Sequence, residues 1–406
     1  MSGILRGLRG AAAAAFALSL LAGCVSGPST TGLKVLARKG RPFVIVQTDR
    51  AKGWGVANHP ILCRVSDRRL ALSYWIAGDA VTEGTAPVGW PAYSDDDGRT
   101  WQFGDPYTWI GEPPPPEARA IEPGSRFSNY NFGYFMAAAV LPSGERVHHD
   151  RTVVLSPTGS IGSIRSADCV HWTSPARVPI EVPLEGSVVP ATLYFEQQAA
   201  VTADGVIYVA GYGQVLAEEC YATFLFESRD GGRSYQYVSK VASMAQAPWG
   251  IEGADEPALV LLPGGELLCV MRTGAPWTGG GTAVARELLA ARSKDGGRTW
   301  EYRRLPIAGV MPKLRLMSNG VLALATGRPG NSLFFSTDGG LTWGRETVLS
   351  RADQKTSGYC DLVEVSPGRL LAIYDSMDTD LSGIWLWEPK EANGILGVYI
   401  NVTRLF

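Results

Sequence analysis

The stretch SKDGGRTW at 293–300 is met again as STDGGLTW at 336–343, SDDDGRTW at 94–101 and SRDGGRSY at 228–235. A degenerate copy, SADCVHWT, occupies 166–173. The copies start at 94, 166, 228, 293 and 336, which are 72, 62, 65 and 43 residues apart. Recurrence on that scale marks an array of similar units. In each copy the Asp carboxylate is expected to accept bonds from turn amides, and the glycines to supply positive φ. The exit aromatic is expected to pack on a neighbouring strand. The turn reads as a structural fastening.

Apolar or alternating runs such as ATFLFE, ELLAAR and NSLFF precede the copies at the period of a strand. Between the copies lie ILCRVSDRRLALSYW, AAVTADGVIYVAGYG, PALVLLPGGELLCVMRT, LRLMSNGVLALATG and DLVEVSPGRLLAIYD. All five read as strand, polar or Gly turn, strand. Two hairpins per unit make a four-stranded antiparallel blade. Five such units and a sixth without the turn motif, built on DLVEVSPGRLLAIYD and SGIWLWE, predict an all-β, six-bladed propeller. A β-sandwich leaves the repeat unexplained, and a β-helix needs a much shorter period.

Composition narrows the rest. With 406 residues, 45% hydrophobic and 19% charged, the chain can bury a large core, and its net charge of -2 gives no footprint for nucleic acid. The start is a processing segment: Arg6 and Arg9 precede the apolar run AAAAAFALSLLA, which ends in Leu21, Ala22, Gly23 and Cys24. That ending resembles the lipobox of bacterial lipoproteins, which implies lipidation at Cys24, export and membrane contact through the lipid alone. GPSTTG at 27–32 reads as a flexible tether. The expected organisation is a signal over 1–24, a tether over 25–40 and a propeller over 41–406. The remaining cysteines, Cys63, Cys169, Cys220, Cys269 and Cys360, are odd in number and widely spaced, so they make neither a disulfide framework nor a metal site. Buried packing is the expected role of most of them.

The repeated turns are similar to Asp boxes, also called bacterial neuraminidase repeats, and the chain resembles the sialidase superfamily of six-bladed propellers. The boxes mark the fold and lie away from that family's active site, so function must be argued from other residues. The family site comprises three arginines for a substrate carboxylate, a tyrosine nucleophile with a glutamate partner, and an aspartate acid/base. A neutral phenol avoids repulsion from the carboxylate beside the anomeric carbon, and sialidases depart from the two-carboxylate scheme for this reason.

DEPALVLLPGGELLCVMRTG at 255–274 resembles the family's Glu-Pro stretch and arginine-terminated hairpin. It implies Glu256 as the nucleophile's partner and Arg272 as a carboxylate ligand. ALATGRPGNSLFFSTDGG places Arg328 where the family has another such arginine, and SGYCDLVEVSPGRLLAIYD makes Tyr359 the nucleophile candidate. The first hairpin departs from the pattern, because Asn58, His59 and Pro60 stand where the family has Arg-Ile-Pro. Asn58 removes a positive charge, so either the carboxylate is held by fewer charged bonds or the substrate differs, and His59, one residue along the strand, could compensate only if protonated. Asp79 is the acid/base candidate, with Glu83 as a nearby substitute. His148, His149 and His171 form no metal signature, and aromatics at 105–120 and in SNYNFGYFM could line a sugar site or cover a blade edge.

The resemblance thus implies an exo-glycosidase that removes a terminal sialic acid or similar acidic sugar from a glycoconjugate, with retention and without metal or organic cofactor. Two alternatives stay open. One is a relative with other carbohydrate specificity, either another exo-glycosidase or a lyase. The other is a non-catalytic propeller that binds a glycan or a protein.

Overall fold

The computed structural model describes residues 35–47, 56–77, 92–103, 136–155, 159–169, 171–173, 176–182, 193–195, 198–215, 220–274, 285–354, 356–376 and 394–405. Two strands come first in the chain, β1 (Val35–Lys39) and β2 (Phe43–Gln47). Blade 1 is β3 (Val56–Arg64), β4 (Leu70–Ala77), β5 (Ala92–Ser94) and β6 (Gln102–Phe103). Blade 2 is β7 (Met136–Val140), β8 (Arg146–His149), β9 (Ser160–Ser166) and β10 (Ala176–Pro179). Blade 3 has β11 (Tyr194–Phe195) and β12 (Ala200–Val201), both on β13 (Ile207–Val215), followed by β14 (Cys220–Ser228) and β15 (Gln236–Ala242). Blade 4 is β16 (Asp255–Leu261), β17 (Leu267–Arg272), β18 (Glu287–Ser293) and β19 (Glu301–Ala308). Blade 5 is β20 (Val310–Leu316), β21 (Leu322–Gly327), β22 (Asn331–Ser336) and β23 (Thr347–Ser350).

The sixth blade is β24 (Cys360–Ser366), β25 (Arg369–Ser376) and β26 (Gly394–Arg404), finished by β1 and β2, both antiparallel to β26. The ring is therefore closed by early and late strands in one sheet. The third strand of the last blade is β26, while SGIWLWE lies outside the described residues. The sheet also takes in Val35–Lys39, ahead of the boundary expected at residue 41. All five hairpins read from the sequence are the inner hairpins of their blades, and a sixth, β7–β8, was not read.

An apolar cluster fills each interface between neighbouring blades, and the fastening turns bind blade to blade there. Trp101 of blade 1 packs with Leu371 and Ile373 of blade 6, and Trp172 of blade 2 joins Cys63 and Ala71 of blade 1. Tyr235 joins Val147 of blade 2, Trp300 joins Leu225 of blade 3, and Trp343 joins Leu268 of blade 4. Each exit aromatic thus inserts into the blade before its own.

Within the turn at 293–300, the Asp295 carboxylate accepts from the Arg298 and Thr299 amides at 3.0 Å and from the Thr299 hydroxyl at 2.7 Å. The Ser293 hydroxyl donates to Asp295 and accepts from the Gly297 amide, each at 2.8 Å. In the copies at Asp96 and Asp230, burial pushes the carboxyl up, but these hydrogen bonds prevail and draw it down to about 2. Gly297 has φ 83°, and a Cβ there would meet Leu225 Cδ2 of the preceding blade at 2.0 Å. Gly297→Ala is therefore expected to cost about 2–4 kcal/mol, from left-handed strain plus overpacking. The check is the shift of the urea midpoint at unchanged m-value.

One further irregularity positions the site. The inner strands of blades 1, 2, 4 and 5 all shift register near their start, between Asn58 and Ile61, Met136 and Ala139, Asp255 and Ala258, and Val310 and Lys313. At each shift a non-glycine residue takes positive φ: His59 at 52°, Ala137 at 43°, Glu256 at 45° and Met311 at 45°. A bulge of this kind re-aims a side chain at the end of a strand, and such strain persists only where surrounding contacts impose it. Cys63, Cys220, Cys269 and Cys360 are buried, as expected of packing residues.

Candidate active site

Successive blades deliver polar side chains to one cluster. The bulges supply His59 and Glu256, the ends of second strands supply Arg272, Arg328 and Asp375, and Tyr359 sits directly before β24. Four of the sequence-predicted residues make one connected set. Tyr359 Oη donates to Glu256 Oε1 at 2.6 Å, and Arg272 Nη1 donates to the same oxygen at 2.9 Å. The Arg328 guanidinium carbon lies 5.4 Å from the centroid of the Tyr359 ring. The other Glu256 oxygen accepts the Met311 amide at 2.7 Å, so the blade 5 bulge holds the carboxylate offered by the blade 4 bulge.

His59 also joins the set, with its ring edge-on to Tyr359 at 4.2 Å between centroids. Compensation by His59 depends on its protonation, which the surroundings disfavour. Burial, and next the charges of Arg328 and Arg151, hold its pKa well below the usual imidazole value, so the ring is neutral. Asn58 lies on β3 opposite Trp75 in the register, and its side chain is outside the described residues. Asp79, Glu83 and Cys24 also lie outside the described residues.

The electrostatics favour an ionised glutamate beside a protonated phenol. Burial would raise the Glu256 carboxyl, but Arg272, the Tyr359 hydroxyl, Arg328 and the Met311 amide together hold it below its ordinary value. Tyr359 is pushed upward by burial and by the Glu256 charge. Arg272 is enclosed by carboxyls, with Glu252 Oε2 at 2.7 Å and Asp255 Oδ2 at 3.8 Å in addition to Glu256. Asp255 goes the opposite way from Glu256: burial raises it well above the usual range, and Glu256 and Glu252 add to the effect against Arg272. These opposite shifts ease the crowding of carboxyls around one guanidinium.

A second layer fixes the tyrosine. Asp375 is fully buried and accepts from the Ser357 amide at 2.8 Å, the Thr356 hydroxyl at 2.5 Å, the Ser357 hydroxyl, and the His59 amide at 3.1 Å. Ser357 in turn accepts the Tyr359 amide on its hydroxyl at 3.1 Å and Arg328 Nε on its carbonyl at 2.8 Å. One buried carboxylate therefore ties the tyrosine loop, the second arginine and the blade 1 bulge together.

Sequence reasoning missed Asp375, Glu252, Asp255 and Arg151. Arg151 follows β8 as Arg328 follows β21, and its signal was an arginine directly after a hairpin, in ERVHHDR. The neighbouring histidines drew the attention instead, and they are structural. His149 Nδ1 lies 3.2 Å from the Ala137 carbonyl and Nε2 lies 3.1 Å from Tyr235 Oη, while His148 packs on Trp172.

Comparison with known proteins agrees with the architecture. The family model described as a BNR repeat-like domain matches residues 150–373. No curated protein matches the chain. Among solved structures, a protein of unknown function from Dyadobacter fermentans DSM 18053 is similar at 16% identity and TM-score 0.61, over 90% of this chain and 99% of that one. The Hadza microbial sialidase Hz136 is similar at 14% identity and TM-score 0.53, over 90% and 68%. Trypanosoma rangeli sialidase in complex with the inhibitor DANA gives 11% and 0.52, over 85% and 55%. At these identities the likeness shows the shared fold.

Proposed function

The chain belongs to the BNR repeat-like family, and from that premise and the site geometry we propose a retaining exo-glycosidase of the sialidase type. It removes a terminal sialic acid or similar acidic sugar from a glycoconjugate, and it is held at the bacterial cell envelope by a lipid on Cys24. The single observation that carries the reading is the 2.6 Å bond from Tyr359 to Glu256, flanked by Arg272 and Arg328. The fold shared with sialidases supports the scaffold, and the site must carry the chemistry.

In the first step Tyr359 Oη attacks the anomeric carbon while Glu256 takes the phenolic proton, and the bond to the leaving oxygen breaks. A protonated acid, for which Asp79 is the candidate, gives its proton to that oxygen. In the second step the same residue, now a base, takes a proton from water. The water attacks the anomeric carbon, the bond from that carbon to Tyr359 Oη breaks, and Glu256 returns its proton to Oη, with net retention. Arg272 and Arg328 offer planar, fixed donors to the sugar carboxylate. Proton NMR of the first-formed anomer tests retention, and an inverted product would overturn the tyrosyl route.

The proton acceptor sets a pH dependence. Glu256 accepts a proton only when ionised, and its pKa lies below the ordinary value. The acid limb of kcat/KM is therefore expected to fall only at pH below the ordinary carboxylate range. A pH profile with a limb at the usual carboxylate value or above would contradict this assignment.

A second reading is favoured by a specific feature. Arg272 is already ion-paired with Glu252 and Glu256, and position 58 is a neutral amide, which leaves less positive charge for a carboxylate. A relative that cleaves a different glycoside fits that balance. Hydrolysis of a panel of neutral aryl glycosides, with none of a sialoside, would select it.

A further inference from the structure

Beside the reacting cluster, blade 5 carries a cleft of about 360 Å³ on the side that meets blade 4. Its wall includes Phe334, Glu346, Val348 and Pro329 of blade 5 and, across the blade boundary, Ala308. We propose that this cleft is a second carbohydrate site that takes a neutral pyranose unit of a glycan. The ring lies against the Phe334 and Pro329 wall, and its hydroxyls donate to the Glu346 carboxylate.

The cleft follows from the strand pattern. Along β22, Leu333 and Phe335 enter the core shared with blade 6, while Phe334 turns to the core shared with blade 4. Ser332 stands on the Phe334 side and pairs in register with Val348 of β23. A register shift between Asn331 and Ser332 interrupts the ladder there, and β19 of blade 4 ends at Ala308, a small and exposed residue. Apolar surface is thus left open between two blades.

The cleft is separate from the reacting pair. Tyr359, Glu256 and Arg272 take no part in its wall. Arg328 does line it, but its Nε is committed to the Ser357 carbonyl at 2.8 Å. The turn that carries Arg328 is closed by the Arg328 amide donating to the Gly330 carbonyl at 2.9 Å. Gly330 has φ 63°, and a Cβ there would meet the Ser350 carbonyl oxygen at 2.4 Å, so this turn sits tightly on the end of β23.

Charge selects a neutral occupant. Glu346 is held in place by the Ser332 hydroxyl, which donates to its Oε1. An ionised carboxylate offers about four acceptor sites, so one such bond orients it and leaves capacity for ligand hydroxyls. Hydroxyls donating to a charged acceptor make the stronger class of hydrogen bond, whereas an anionic sugar would bring like charge against it. A cationic ligand is opposed in turn by Arg328 and Arg351 in the same wall. Arg351 is oriented by Asp353, which accepts from its Nε at 2.9 Å and from its Nη2, and by Gln354 Oε1, which accepts its amide at 2.7 Å. An aromatic and aliphatic wall with a few fixed polar groups, in this volume, is the make-up of a small-ligand site.

Hydrolysis does not enter the test, so its outcome is independent of the glycosidase reading. Saturation-transfer NMR titrations use the methyl glycosides of glucose, galactose, mannose and N-acetylglucosamine, with methyl glucuronide and cyclohexylammonium as charged controls. They are run on the full chain and on Glu346→Gln and Ala308→Trp. At least one neutral glycoside should bind the parent, at least tenfold more tightly than either charged control. Glu346→Gln should weaken it at least tenfold, and Ala308→Trp, which fills the mouth from an exposed position, should abolish it, both with unchanged Tm. If Glu346→Gln fails to fold, Ala308→Trp decides alone. Binding that survives Ala308→Trp would place the sugar elsewhere and overturn the proposal. So would a parent that binds no neutral glycoside, or one that binds the glucuronide or the ammonium ion as tightly.

Discussion

Tyr359→Phe is expected to lower kcat on an activated sialoside by at least about a thousandfold, because it removes the attacking atom and leaves the scaffold in place. The substitution deletes one hydroxyl whose partner, Glu256, still holds Arg272 and the Met311 amide. The ring keeps its edge contact with His59 and its place beside Arg328. Substrate binding should therefore change little, and the loss should appear in kcat. Comparing kcat and Kd for parent and variant makes the separation. A variant that retains more than about a tenth of the parental kcat would assign the attack to another group.

Arg272→Met is expected to destabilise the fold by about 3–5 kcal/mol at pH 7, since it strands carboxylates inside the protein. Arg272 is only 7% exposed, and Glu252, Asp255 and Glu256 surround its guanidinium. Without it, burial acts on Glu256 with less opposition, and its folded pKa rises above the unfolded value. A group shifted in that direction contributes stability below its unfolded pKa and loses it as pH rises through the folded pKa. The deficit should therefore be largest at pH 7 and above, and shrink as pH falls through the carboxylate range. Urea midpoints at pH 7 and pH 4.5 supply the comparison. An equal deficit at both values would mean that packing, rather than stranded charge, makes Arg272 necessary.

The propeller was legible because its signal is local and repeated. Each fastening turn needs Ser, Asp, Gly and an aromatic at set offsets, and the inner hairpins carry strand alternation around polar turns. What escaped was long-range. The sixth blade is completed by β1, some 360 residues before β26, and no local pattern announces that pairing. The hairpin β7–β8 was missed because no box precedes it at the usual distance and its start, MAAAV, carries little β preference.

The site divides in the same way. Glu256, Arg272, Arg328 and Tyr359 could be found because motifs bracket them, and they come together in space. The charge of His59 could not be read from the sequence, because it depends on burial and on two arginines distant in sequence. Strand alternation gave no guide to its direction, since the bulge at φ 52° breaks the alternation. Asp375 looked like the end of a strand, and its four donors come from the loop at 356–357 and from blade 1. A buried carboxylate whose partners are all distant leaves no trace in its own neighbourhood of sequence.

The most direct measurement is mass spectrometry of peptides after incubation with a 2,3-difluorinated sialic acid, whose fluorines slow breakdown of a glycosyl-enzyme more than its formation. The account predicts one sugar adduct, on the peptide carrying Tyr359, absent from Tyr359→Phe. An adduct on another residue, or steady hydrolysis of a sialoside with no adduct trapped, would contradict the tyrosyl mechanism.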